Sequence, residues 1–352
     1  MPNTNDVRSR HTDAAPGSPL PAPCLRFAEA VCAGHPDRLA DRIAASIVSL
    51  ACTRDPDALV GIEVALHRNV VFVDGRIAAG EGRHCVVSPD DVERLVREAY
   101  AEAGYGETPS GTFEPFPASL DVRTDICFGP LPADERAVRD VSDDQAIAVG
   151  HAVRGARAGY RPLEHALAND FARALEQLRV NSPWLGLGPD GKTLVALRGT
   201  TLVGVTVSVH HRPGAEWLAL TSAVREACLA VAQEYVDAGE LQLANDVDWL
   251  INGAGAFEVG GPAGDNGLSG KKLVAEAYGT AVPIGGGAVH GKDPRKVDPW
   301  GQARARQMAL DLVLSGQAAE ATVWLVWRPG DVEPRWVEVV TRGDGAPPHS
   351  MK

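Results

Sequence analysis

Two glycine clusters in the last third of the chain each end on lysine. Gly260 to Lys272 reads GGPAGDNGLSGKK, and Gly285 to Asp298 reads GGGAVHGKDPRKVD. Glycine lets backbone N–H groups approach polyphosphate oxygens closely, and a lysine closing such a loop supplies a point charge. Lys271, Lys272, Lys292, Arg295 and Lys296 are interleaved here with Asp265, Asp293 and Asp298. Cations and carboxylates mixed in this way suit an anionic substrate held together with a divalent metal. Gly286 to Lys292 also fits the GxxxxGK pattern of the nucleotide-binding P-loop, but Asp293 stands where that loop needs a Ser or Thr hydroxyl for magnesium. Pro283 and a run of glycines replace the strand that should precede it, so a P-loop is disfavoured.

The totals make this local cluster more telling. Formal net charge is -12, which argues against nucleic acid or an anionic membrane as partner. A chain of 352 residues can bury a sizeable core and is expected to divide into two or three domains or repeats. Cys24, Cys32, Cys52, Cys85, Cys127 and Cys228 form no CxxC pair, and read as reduced thiols in a cytosolic protein. No apolar run approaches the roughly 20 residues of a membrane span, and the first residues lack the pattern of a secretory signal. A cytoplasmic location is expected.

The elements that must position the loops can be read from periodicity. Residues 1–23, rich in Pro, Ser, Asn and Asp, are expected to form a disordered tail. An ordered stretch from Leu25 to Ala33 leads into GHPDR at 34–38. Leu39, Ile43 and Ile47, beside Ala40, Ala44 and Val48, then predict a helix to about Leu50. Strands are predicted over 58–67 and 69–79, with a tight turn at Asp74-Gly75. Ser88-Pro89-Asp90-Asp91 starts a helix that Gly104 stops. A loop over 105–117 precedes a strand over 119–128. The middle third repeats the alternation: a helix over 162–180, a Pro189-Asp190-Gly191 turn, strands over 193–197 and 202–210, and a helix over 215–238. A helix over 301–315 and a hairpin of 321–327 with 336–341 complete the chain. The fold class is α+β, with sheets and helices in three similar blocks. The expected division is 24–130, 142–259 and 260–342, followed by a polar tail, 343–352.

Four motifs taken in order are more specific than any one of them. GHPDR at 34–38, SDDQAIAVG at 142–150, GGPAGDNGLSGKK at 260–272 and GGGAVHGKDPRKVD at 285–298 resemble the signatures of the S-adenosylmethionine synthetase (methionine adenosyltransferase) family. Glu63 in GIEVAL, SPWLGLGPDGKT at 182–193 and FEVGGP at 257–262 support the resemblance, which runs from about Phe27 to Gly330. It implies a pseudo-threefold arrangement of the blocks and an ATP-dependent 5′-adenosyl transfer. In that reaction a sulfur nucleophile attacks C5′ of ATP, and the whole triphosphate leaves and is then hydrolysed. By position in the motifs, Asp37 and Asp298 resemble the Mg2+ ligands, and Glu63 the acid of a K+ site. His35, Lys192, Lys271, Lys272, Lys292 and Lys296 resemble the triphosphate set, of which His35, Lys192, Lys292 and Lys296 are the catalytic candidates. Arg38, Asp144, Asp190, Phe257 and Asp265 fall in the nucleotide site, with Asp144 and Asp265 also at the acceptor. The resemblance further implies ATP and methionine (or an analogue) as partners, and a homodimer or dimer of dimers with sites between subunits. A triphosphate leaving group needs its charge neutralised by metals and fixed cations in a water-poor site. A thioether nucleophile carries no proton, so no general base is required.

The departures gather on the acceptor side. Arg38 replaces the usual lysine of GHPDK, and Lys271 stands where arginine is usual, exchanging point charge and planar fork. VDGRI at 73–77 puts Arg76 where the family has a glutamate that helps hold the amino group of methionine. FGPLPADE at 128–135 contains no glutamine where a glutamine-bearing loop is usual, and His290 falls where a small hydroxyl residue is usual. After Thr341 the family's last helical segment and closing motif are absent. Arg76 either swings out to solvent at a hairpin tip or reshapes the acceptor pocket to favour a carboxylate or other anion. Three functions are compatible: synthesis of S-adenosylmethionine, adenosyl transfer to a different acceptor, and a non-catalytic nucleotide-binding paralogue.

Overall fold

The GHPDR segment begins its helix by local chemistry. His35 is the cap, its Nδ1 accepting from the Asp37 N–H at 3.2 Å, and Pro36 occupies the first turn, where a missing N–H costs nothing. The computed structural model describes residues 25–82 and 84–343; the tails expected at 1–23 and 343–352 lie outside them, Gly343 excepted.

In chain order, β1 (Leu25–Val31) leads into α1 (Pro36–Arg54), then the pair β2 (Leu59–His67) and β3 (Val70–Ala78), and α2 (Pro89–Ala103). A small hairpin, β4 (Gly106–Thr108) and β5 (Gly111–Phe113), precedes β6 (Asp121–Gly129) and the short α3 (Ala133–Ala137). Next come β7 (Ala146–Val153), α4 (Leu163–Asn181), β8 (Leu187–Arg198), β9 (Thr201–His211), α5 (Trp217–Asp237) and β10 (Gln242–Ile251). The chain finishes with β11 (Gly267–Leu268), the short α6 (Leu273–Ala277), α7 (Val297–Leu314), β12 (Glu320–Trp327) and β13 (Trp336–Arg342).

The architecture is α+β, built on three sheets with a core under each. In the first sheet, ordered β11-β2-β3-β6, the α1 side chains Leu39, Ile43 and Ile47 pack on Val60, Ile62 and Val64. In the second, β1-β8-β9-β10, Leu167 and Phe171 of α4 pack on Val195, Val205 and Val207. In the third, β13-β12-β7, Ala305 and Ala309 of α7 meet Val323 and Leu325. Gly150 of β7 lies directly on the Ala305 backbone, so only glycine allows that helix to sit so low.

Each sheet takes a strand from another part of the chain. β1 pairs with β8 in the second sheet, β7 pairs with β12 in the third, and β11 adds to β2 in the first. The GHPDR loop therefore runs from the second sheet to the helix over the first. The glycine loops run between the first sheet and the helix over the third. The motifs sit at these seams.

The turn expected at Asp74-Gly75 is not there. β3 runs through it in an unbroken ladder with β2 and β6, and the hairpin turns at Arg68-Asn69 instead, with Arg68 at φ 53°. Gly75 has φ 117° and lies against the Gly61 carbonyl, where a Cβ would collide. Its glycine serves close strand approach rather than a turn. Helix α7 starts at Val297, ahead of the expected 301, which puts Asp298 in its first turn. β7 and β10 were not expected. Among the described residues no helix is long and apolar enough to cross a membrane.

Candidate functional site

Backbone stitching assembles the first half of the site. Cys32 N–H donates to Gly191 C=O at 2.9 Å and Gly34 N–H to Pro189 C=O at 3.2 Å. A Cβ on Gly34 would stand 2.5 Å from the Pro189 side chain, so glycine is what lets GHPDR close on Pro189-Asp190-Gly191, which is not the expected turn but an irregular stretch inside β8, where the pairing with β9 shifts register. Asp37, 1% exposed, lies at the centre. Its Oδ1 accepts from Leu268 N–H at 3.1 Å and faces Lys271 Nζ at 3.4 Å, and its Oδ2 faces Lys272 Nζ at 2.8 Å. Burial pushes the Asp37 carboxyl up, but the bonds from Lys272 and Leu268 outweigh it and hold the group below the ordinary carboxylate value. Burial pushes His35 down to about 4, so its ring is neutral at pH 7.

Around this centre, Lys192 Nζ meets Glu29 at 2.6 Å. Asp190 is buried and accepts the Gly261 N–H at 2.7 Å, and burial raises its pKa to about 6. Its carboxylate thereby pins the first glycine loop to the strand that carries Lys192. Asp265 is exposed within that loop, with its N–H on Gly261 C=O at 3.0 Å. Phe257 is half-buried over His210, ring centroids 5.6 Å apart.

The second half is built where residues 285–298 cross β2. Ile62 N–H donates to Gly291 C=O at 2.9 Å and Asp293 N–H to Val60 C=O at 3.1 Å. Gly291, at φ 83°, lies on the Ile62 carbonyl. Asp293, 0% exposed, accepts from Val60 N–H at 2.8 Å and Arg295 N–H at 3.0 Å and pairs with the buried Arg139. The residue that spoils the P-loop pattern is thus an internal anchor. It holds Lys292 on the Asp298 carboxylate and Lys296 Nζ on Asp143 Oδ2 at 2.7 Å. Neighbouring Asp144 is exposed and accepts from the Gln145 N–H. A cavity of about 400 Å³, lined by Glu29, Lys271, Lys272, Gly285 and Gly286 among others, connects the two glycine loops with β1.

Three expected residues stand apart from the lysine clusters. Glu63 is exposed on β2, its Oε2 accepting from Ser269 Oγ at 2.6 Å. Arg38 turns to Glu276, which also meets His290 Nε2 at 3.0 Å. Arg76 is not at a hairpin tip. It lies within β3 on the same exposed face as its cross-strand partner Gly61, whose open side faces the Lys296 stem. Its guanidinium meets both Glu135 oxygens, at 2.9 and 2.8 Å. The two acceptor-side departures in the sequence therefore touch each other.

Sequence reasoning missed Glu29 and Asp143, the resting partners of Lys192 and Lys296. Glu29 carried a weak signal: a carboxylate in the mostly apolar strand β1 is costly unless paired. Asp143 carried none beyond adjacency to Asp144. Every lysine of the predicted set rests on a carboxylate. Ammonium groups on flexible stems can leave such partners for a polyanion placed between them.

Comparison with known proteins matches this arrangement to one family. A family model described as "S-adenosylmethionine synthetase, N-terminal domain" matches residues 24–120, and "S-adenosylmethionine synthetase, C-terminal domain" matches residues 259–351. An S-adenosylmethionine synthase of Wolinella succinogenes is 32% identical over 333 residues, 91% of this chain and 81% of that protein. One of Thermus thermophilus is 34% identical over 344 residues, 92% of this chain and 83% of that one. Among solved structures, "an Unusual S-adenosylmethionine synthetase from Campylobacter jejuni" superposes with a TM-score of 0.80 at 27% identity, covering 93% of this chain and 83% of that one.

Proposed function

The chain belongs to the S-adenosylmethionine synthetase family, and from that premise we propose that it makes S-adenosylmethionine from ATP and methionine. The sulfur attacks C5′, triphosphate departs, and the triphosphate is then hydrolysed to phosphate and diphosphate. The observation that carries this reading is the set of resting ion pairs, Lys192 on Glu29, Lys271 and Lys272 on Asp37, Lys292 on Asp298 and Lys296 on Asp143, drawn from separate motifs. A triphosphate entering between them recruits these ammonium groups where its charge develops. His35 adds a neutral donor: its Nδ1 accepts from Asp37 N–H, so the ring proton sits on Nε2, free for a phosphate oxygen.

Asp37 and Asp298 fit Mg2+, because each is an oxygen donor that already holds positive charge, in the form of lysine ammonium groups. They would hold the ion, which when bound neutralises triphosphate oxygens. Glu63, with the Ser269 hydroxyl beside it, offers oxygen donors that suit K+. The homodimer belongs to this proposal, and the exposed face of the first sheet, with Phe72, Arg76 and Cys127, is a surface available for it.

A second reading keeps the transfer and changes the acceptor. The Arg76–Glu135 pair supports it, since a guanidinium beside the second half of the site can favour an acceptor with an additional anionic group. One experiment tests both. The protein is incubated with ATP, Mg2+ and K+, with methionine and separately with a panel of thiols, thioethers and anionic analogues. Adenosylated product is read by mass spectrometry, with phosphate and diphosphate release alongside. Product from methionine supports the first reading, and product from another acceptor alone supports the second. No adenosylated product from any of them refutes both.

A further inference from the structure

Three side chains of unlike chemistry converge beside the lysine clusters without joining them. Asp41 lies one turn beyond Asp37 on α1, Glu276 lies on α6, and His290 lies two residues before Lys292. One donor atom from each lies within 4.8 Å of the others. Asp41 is 1% exposed. Its Oδ1 accepts the Gly270 N–H at 2.7 Å, while its buried Oδ2 has no hydrogen-bond partner among the described residues. Glu276 gives one oxygen to the Arg38 guanidinium and turns the other to His290 Nε2 at 3.0 Å. Two carboxylates thus stand together out of bulk water, one with an oxygen left over. Arg38 offsets the Glu276 charge, but Asp41 has no ion-pair partner among the described residues, and a buried carboxylate oxygen left so is costly.

We propose that Asp41, Glu276 and His290 bind a transition-metal dication of the Zn2+ kind. Imidazole together with carboxylate selects Zn2+ over Mg2+ or Ca2+, which take oxygen donors. The outer contacts suit that role, because the Gly270 amide and the Arg38 guanidinium each fix one carboxylate oxygen and aim the other inward. Two carboxylates would face the dication, one of them shared with the Arg38 guanidinium, and the ligating imidazole would be neutral. His290, 30% exposed, also lines a cleft of about 480 Å³ that it shares with Arg38 and Arg161, which gives an entry path and an open coordination position. The metal ties α1 to both glycine loops, next to Lys271 on one and Lys292 on the other. It is distinct from the Mg2+ proposed at Asp37 and Asp298, which has no imidazole ligand, and it does not depend on which acceptor the enzyme uses.

The test uses full-length, tag-free protein stripped with chelator and held in excess Mg2+, so that oxygen-only sites are occupied. Co2+ is titrated as a visible-absorbing probe, and Zn2+ by calorimetry. One equivalent of Co2+ should bind with a visible band that Zn2+ displaces, and Zn2+ should raise the melting temperature over chelator. His290→Ser, at a partly exposed position, should weaken Zn2+ binding at least about 10-fold, as even outer-shell changes do, and should abolish the melting shift. Asp298→Asn should leave the stoichiometry unchanged. The proposal is overturned if no stoichiometric site survives in Mg2+, or if one persists in both His290→Ser and Glu276→Gln. It is also overturned if Zn2+ shifts the wild-type and His290→Ser melting points equally. A proton shared by Asp41 and Glu276 would give the first of these results.

Discussion

Asp293→Ala should be among the most damaging single changes in this chain, although Asp293 faces away from the cavity. The carboxylate is 1% exposed and Arg139 is 5% exposed. Arg139 also donates to the Asp57 and Ala58 carbonyls, at 3.2 and 2.9 Å, so it cannot swing out to water without breaking those bonds. Alanine leaves this guanidinium buried without its counter-ion and leaves the Val60 N–H without its acceptor. Removing one partner of a buried pair costs about 3–5 kcal/mol, because the other charge is stranded. Against a total stability of roughly 5–15 kcal/mol, that is a large share. With an unfolding entropy of about 2.1 cal/mol/K per residue, 352 residues shift by about 1.4 °C per kcal/mol, so the melting temperature should fall by roughly 4–7 °C. Calorimetry and urea titration measure the loss. Arg139→Met combined with Asp293→Leu should recover most of it, since an apolar pair of similar volume strands no charge. Turnover should fall in Asp293→Ala as well, because the anchor holds Lys292 and Lys296 over β2. A loss under about 1 kcal/mol, or single and double variants whose losses simply add, would refute the reasoning.

Lys292→Ala should lower turnover by about 100- to 1,000-fold, the scale of losing one preorganised electrostatic contact; the side chain is 27% exposed, so the fold should survive, and steady-state kinetics beside a melting curve separate the two. Arg76→Glu with Glu135→Gln, which avoids facing two acids, should shift kcat/KM toward methionine over anionic acceptors, and unchanged selectivity would remove Arg76 from acceptor reading. Stability should fall on acidification because burial pushes His35, His151, His165 and His210 down to about 4 each. The unfolded chain then binds protons between pH 6.5 and about 4 that the folded chain refuses, so stability is complete above pH 6.5 and is lost as pH falls through that window. Burial raises Asp41 and Asp190 to about 6, which works in the opposite direction below that pH, but two carboxyl groups oppose four imidazoles. Urea midpoints should therefore drop between about pH 7 and pH 5, with a shallower slope in His210→Gln; a flat profile would count against the buried neutral rings.

Much of the fold was legible because its elements announce themselves locally. The Leu39, Ile43 and Ile47 stripe, the Ser88-Pro89 start and the valine alternation of β9 each favour one structure at short range. Sheet membership was not legible. Nothing in the β1 sequence says that it pairs with the distant β8 rather than with β2, because pairing is decided by packing of whole faces. The Asp74-Gly75 error has the same origin: the dipeptide is a turn signal in isolation, but a ladder on both sides of β3 overrides it. At the site, residue types in motifs located the lysines, while their resting partners came from other segments. Glu29 and Asp143 could be paired with Lys192 and Lys296 only in three dimensions.

Those resting pairs bear on why a dication should accompany the nucleotide. On the proposed function, a triphosphate that drew Lys271 and Lys272 from Asp37, and Lys292 from Asp298, would leave two carboxylates facing the incoming phosphates. Asp37 is 1% exposed and Asp298 13%, so water cannot screen them well. Repulsion between these acids and the triphosphate would cancel much of what the lysines contribute unless positive charge replaces the departed ammonium groups. On the proposed function, Asp37 and Asp298 would hold a metal ion, which would supply that charge at the same oxygens. On this reading the lysines and the metal would act in exchange rather than in addition: the ammonium groups neutralise Asp37 and Asp298, and the same two acids would hold the dication once Lys271, Lys272 and Lys292 turned to the leaving group.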